Sequence, residues 1–141
     1  MVKIIIDADV VARVLHSDSD CDFSHLHDAI FHRKRYDVLL AFGGARLTWE
    51  YKKAGMLRII SVLDKAGRIS LSNDQDVDNE AKKIKSRCKS NDEHIVALAR
   101  VGAVSIVATL DYDLSRDFRN RTLVLNGRTY KNKKHYKLLL P

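Results

Sequence analysis

Residues 2–11 read VKIIIDADVV. Apart from Lys3, Val2 to Ile6 is an apolar, β-branched run, the pattern of a strand buried on both faces of a parallel sheet. The run ends in two carboxylates, Asp7 and Asp9. Burying an unpaired carboxylate is costly or forces its protonation, so a pair at a strand's end calls for a cation, hydrogen-bond donors or solvent.

Further along, runs of β character alternate with helical stretches, which predicts an α/β fold with a parallel sheet. The expected strands are Val2–Ile6, Asp37–Ala41, Arg68–Leu71, Val104–Ala108 and Thr122–Leu125. Helices are expected just after Asp9, over Phe23–Arg33, from Ala45 to Ala66 with a break at Gly55, and over Asp76–Arg87, Asn91–Val101 and Leu114–Arg119. The one proline is the last residue and no low-complexity linker interrupts the pattern. A single domain over 1–141 follows, with a basic tail from 126 to 141.

Ligands of open parallel sheets bind beyond the carboxyl ends of the strands, where the strand order reverses. Asp111 and Asp113 follow the apolar run VSIVATL as Asp7 and Asp9 follow the first strand. Each is a strand, then Asp-x-Asp, then a helix, and two such strands side by side would bring up to four carboxylates into one volume. Glu50 lies on the stripe of Leu47, Ala54 and Leu57, and Asp92 on that of Ile95, Val96 and Ala99, so both helices turn an acid toward the core.

Each acid also has a purely structural explanation. Asp92 fits a first-turn acid behind a Ser90–Glu93 capping box, Asp113 and Asp9 fit N-caps, Asp7 and Asp111 fit Asx turns, and Glu50 fits a stripe edge. Those explanations leave unexplained why all fall on core-facing or strand-end positions together. A carboxylate cluster without cysteine, and with no histidine at ligand spacing, suits the hard cations Mg²⁺ or Mn²⁺ and disfavours zinc. The stretch DSDCD, Asp18 to Asp22, imitates a calcium loop, but Phe23 stands where glycine is needed and Ala29 where glutamate is. His25 and His27 read as surface residues, and Cys21 and Cys88 as ordinary thiols.

With 45% hydrophobic and 30% charged residues, the composition is that of an ordinary globular domain. No apolar run approaches the roughly 20 residues of a membrane span, and the chain opens on a strand instead of a leader, so the expectation is a soluble cytoplasmic protein without a membrane partner. The net charge is +7, and the tail NGRTYKNKKHYKLLLP supplies five of it through Arg128, Lys131, Lys133, Lys134 and Lys137. These lysines and the arginine, interleaved with Tyr130, His135 and Tyr136, are candidate nucleic-acid contacts, and HRKRY (His32 to Tyr36) and KKIKSRCK (Lys82 to Lys89) could extend that surface.

The order strand-Asp7, helix-Glu50, NDEHIVALA with Asp92, then TLDYD with Asp111 resembles the PIN domain, a family of metal-dependent ribonucleases that includes VapC-type toxins. The resemblance runs from Val2 to about Leu125. It implies a three-layer α/β/α fold with a five-stranded parallel sheet in the order 3-2-1-4-5. It also implies that Asp7, Asp92 and Asp111 hold one or two divalent ions, with Asp9 and Asp113 as further candidate ligands, and that Glu50 ligates or positions a water. Thr109 matches a hydroxyl common in the family's fourth motif, whereas Asp9 departs from the asparagine many members carry. The implied activity is endonucleolytic hydrolysis of RNA to a 5′-phosphate and a 3′-hydroxyl. Implied partners are RNA, an antitoxin protein and a second copy of the chain. Two rival readings remain: a haloacid-dehalogenase-like phosphatase, with Asp7 as nucleophile and Asp9 as acid/base, and a non-catalytic RNA-binding domain of the same fold.

Overall fold

The computed structural model describes residues 1–16, 21–32 and 36–140. Asp18 to Asp20 of the DSDCD stretch and Arg33 to Arg35 of the HRKRY cluster lie outside the described residues. Five parallel strands, β1 (Val2–Ile6), β2 (Val38–Phe42), β3 (Ile69–Leu71), β4 (Ile106–Ala108) and β5 (Arg128–Tyr130), form one sheet in the order β3-β2-β1-β4-β5. The central strand β1 pairs with β2 through Val2 and Val38 and with β4 through Ile6 and Ala108. Ile4, Ile5 and Ile6 are fully buried, as an apolar run at the centre of a parallel sheet requires.

The helices are α1 (Ala8–Leu15), α2 (Ser24–Phe31), α3 (Ala45–Lys53), α4 (Leu57–Lys65), α5 (Asp74–Ile84), α6 (Glu93–Gly102) and α7 (Tyr112–Arg119). The chain runs outward from β1 to β3, then crosses to β4 and outward to β5. Because parallel strands are joined by right-handed crossovers as a rule, such a reversal of direction puts helices on both faces of the sheet, giving three layers. The expected break at Gly55, whose φ is +74°, separates α3 from α4. Gly44 starts α3 with φ +94°, and a Cβ there would lie 2.8 Å from the Val77 side chain, so the turn that launches the Glu50 helix needs glycine. No helix among the described residues is long and apolar enough to cross a membrane.

The structure corrects the fifth strand and the tail. Thr122–Leu125 is a turn, not a strand: the Asn120 carbonyl accepts from the backbone N–H groups of Leu123 and Val124, and its Oδ1 accepts from the Thr122 N–H and hydroxyl. Leu123 and Val124 are buried, so their apolar character anchors a turn. The strand is Arg128–Tyr130, inside the segment expected to be a tail. Beyond it a 3₁₀ run, Lys133–Leu139, packs on α2, with Leu139 fully buried and the rings of His25 and Tyr136 5.5 Å apart.

Candidate metal centre

β1 and β4 are neighbours, so the residues following them meet at the reversal of strand order. The Asp7 N–H donates to the Ala108 carbonyl at 2.9 Å, and the Thr109 hydroxyl donates to Asp7 Oδ2 at 2.7 Å. The same hydroxyl oxygen accepts from the Asp111 N–H at 3.0 Å, so Thr109 ties the two strand-end aspartates together. Asp7 is 4% exposed. Asp111, not Asp113, caps α7, its Oδ1 accepting from the Leu114 N–H at 3.0 Å. That bond occupies one carboxylate oxygen of Asp111.

Glu50 arrives on α3, beside Tyr51, whose fully buried hydroxyl donates to the Ile6 carbonyl at 2.5 Å and pins the helix to the end of β1. Asp92 stands at the N-cap of α6 with no capping bond from its side chain, which leaves its carboxylate to face the cluster. The expected capping box is absent: the Ser90 hydroxyl accepts from the Asp92 N–H at 3.2 Å and donates to Asp117 Oδ2 at 2.7 Å. Asp117, 1% exposed, also accepts from the N–H groups of Lys89 and Ser90 and so fixes the loop that presents Asp92.

The four acids feel one another. Burial pushes the Asp92 carboxyl up to about 7, with the charges of Asp7 and Asp111 adding to the effect, Arg46 opposing it and Glu50 adding further. Asp7 is raised chiefly by burial, against the Thr109 hydrogen bond, with Asp9 and Glu50 contributing repulsion. Glu50 is raised by burial, against Arg46, with Asp9 again repelling. Asp9 is therefore at the rim of the cluster, exposed on the first turn of α1. Asp113 is exposed and takes part in none of these shifts.

Two participants have no counterpart in the expectations drawn from sequence. His94, 4% exposed, lies with Nε2 2.7 Å from Glu50 Oε1, and burial lowers its pKa to about 4, so the neutral ring donates to the carboxylate. Its Nδ1 is buried without a hydrogen-bond partner among the described residues. Glu50, Asp92 and His94 each bring one ligand atom within 4.8 Å of the others. Arg46 reaches across the opening, 3.7 Å from Glu50, 3.8 Å from Asp92 and 3.6 Å from Glu93, and its Nη1 donates to the Asn91 carbonyl at 2.7 Å. The i, i+4 spacing of Arg46 and Glu50 was the available signal for Arg46, whereas the burial of His94 depends on packing between α3 and α6.

The tail residues separate. Arg128 and Lys131 line a cleft with Arg119, while Lys133 Nζ lies 3.7 Å from Cys21 Sγ on the α2 side. Lys134 and Lys137 are exposed on the 3₁₀ run. Tyr130 is fully buried and so unavailable for stacking on a base. His27, expected at the surface, has its Nδ1 2.7 Å from the Val14 carbonyl.

Comparison of the chain with protein-family models, with curated proteins and with solved structures finds no match. The functional reading therefore rests on the site.

Proposed function

We propose that the chain is a divalent-metal-dependent endoribonuclease of the PIN type. One observation carries this reading: carboxylates from four separate elements, Asp7, Glu50, Asp92 and Asp111, converge at the reversal of strand order, and burial raises Asp7, Glu50 and Asp92, with repulsion within the four adding to it at Asp7 and Asp92. The donor set fits a hard cation. Its oxygens are anionic, and His94 spends its Nε2 on Glu50 and so acts as a support for the carboxylate instead of a soft ligand.

In this reading Asp7, Asp92 and Asp111 would hold a divalent ion, which would supply polarisation of the scissile phosphate and a lowered pKa for an attacking water. Glu50, with Oε1 engaged by His94, orients that water through Oε2. Thr109 keeps Asp7 and Asp111 in register, and Arg46 balances negative charge at the opening.

The phosphatase alternative has less support. β2 ends at Phe42 and is followed by Gly43 and Gly44, none of which offers a hydroxyl to a phosphoryl group, and that reading leaves Glu50, Asp92 and His94 without a task. The test is cleavage of single-stranded RNA in Mg²⁺ or Mn²⁺. Wild-type protein is expected to release products with 5′-phosphate ends, and Asp7→Asn and Asp111→Asn to lose cleavage while remaining folded by circular dichroism. Undiminished cleavage by either variant refutes the assignment, and an acyl-phosphate trapped on Asp7 would replace it with the phosphatase.

A further inference from the structure

The exposed face of α7 carries a feature that the metal centre does not use. Tyr112 directly follows Asp111, yet it is 63% exposed, an unusual setting for an aromatic ring beside a half-buried acid cluster. The guanidinium carbons of Arg116 and Arg119 lie 5.8 Å and 6.0 Å from its ring centroid. The spacing i, i+4, i+7 puts all three on one stripe of the helix. Neither arginine is in an ion pair among the described residues.

α7 thus leads away from the carboxylates for eight residues, about 12 Å at the α-helical rise. It ends at Arg119, which enters a cleft of about 310 Å³ lined also by Ser115, Arg128, Thr129, Lys131 and His135. Asp113, exposed on the same helix, is outnumbered by Arg116, Arg119, Arg128 and Lys131, and Asp117 is buried against Ser90. An aromatic ring followed by a line of cations is the arrangement that grips unpaired nucleic acid, stacking a base and pairing successive phosphates.

We propose that a single RNA strand passing the metal centre stacks a base on Tyr112 and lays its phosphates along Arg116 and Arg119 into the cleft of Arg128 and Lys131. This rests on the nuclease reading, and it narrows the nucleic-acid surface expected of the basic tail. Arg128 and Lys131 belong to the track, whereas Lys133, turned toward Cys21, does not.

The experiment is fluorescence-anisotropy titration of a labelled single-stranded RNA oligonucleotide with the full chain in chelator, so that no hydrolysis competes. Tyr112→Ala is expected to weaken binding about tenfold with an unchanged salt slope, and Tyr112→Phe to retain binding. Arg119→Gln is expected to weaken binding and to reduce the slope of log K against log salt by about 0.7, the change produced when one fewer phosphate is neutralised. Lys133→Gln should bind as the wild type does. Wild-type affinity in Tyr112→Ala, or a weakening in Lys133→Gln equal to that in Arg119→Gln, overturns the track. The nuclease reading is judged separately by cleavage. A chain that cleaves in Mn²⁺ with Tyr112→Ala unimpaired in binding keeps the nuclease and loses the track, and one that binds through Tyr112 without cleaving does the reverse.

Discussion

Asp92 shows what convergence does to a single acid. Its ordinary pKa of 3.8 is raised to about 7 by burial and by Asp7, Asp111 and Glu50, against Arg46. Between those values the folded chain keeps a proton that the unfolded chain has lost. Stability therefore falls as pH rises through that window, and the penalty is complete above about 7, on the order of 3 kcal/mol once screening by solvent is allowed for. His94 acts in the opposite sense: its pKa is lowered from 6.5 to about 4, so its contribution is lost as pH falls through that range. Comparing Asp92→Asn with wild type cancels the histidine. In chelator the two should melt alike near pH 3, below the ordinary pKa of Asp92, and the variant should melt higher at pH 8. Excess Mn²⁺ should reverse that order, because the wild type then gains the stability of its bound ion. A variant that melts no higher than wild type at pH 8 in chelator would contradict the mutual repulsion. Asp92 was legible as inward-facing from Ile95, Val96 and Ala99. The Ser90–Asp117 support was not, because a serine three residues before a glutamate, Ser90 and Glu93, reads locally as a capping box, and α7 is distant in sequence.

At the scale of elements, patterning worked for the central strands and for the β3 edge and failed at the β5 edge. β1 shows itself in five residues because a central parallel strand must be apolar on both faces. β5 does not, since Arg-Thr-Tyr at a sheet edge buries fully only Tyr130, while the more strand-like Thr122–Leu125 is held in a turn by Asn120. Seating β5 depends on Gly127, where a Cβ would stand 1.9 Å from the Phe118 carbonyl oxygen. Backbone must move to admit it, so Gly127→Ala is expected to destabilise the protein by roughly 2–3 kcal/mol or more, read as a fall in the urea midpoint. A midpoint within error of wild type would show that β5 is not held as described. The same substitution should widen or displace the neighbouring cleft of Arg119 and Arg128.

For the molecule as a whole, the sheet order β3-β2-β1-β4-β5 converts a repeated Asp-x-Asp into one site. Two segments about a hundred residues apart become neighbours because β1 pairs with β4, and α3 and α6 deliver Glu50 and Asp92 to the same end. The repeat and the inward stripes were readable in sequence. Spacing alone did not say which member of each pair enters, although the family resemblance pointed to Asp7 and Asp111; Asp9 stays at the rim and Asp113 faces solvent, a distinction set by the Thr109 hydroxyl and the α7 cap. The basic character of the carboxyl-terminal segment was equally plain, but its docking on α2 redistributes those charges between two sides of the molecule. The central claim is that the four acids are one cation site, and calorimetric titration of the chelator-treated protein with Mn²⁺ tests it most directly. Wild type is expected to bind, Asp7→Asn and Asp111→Asn to lose affinity by about tenfold or more, and Asp113→Asn to bind as wild type does. Absence of Mn²⁺ binding by the wild type, or equal affinity in Asp7→Asn, would contradict the account.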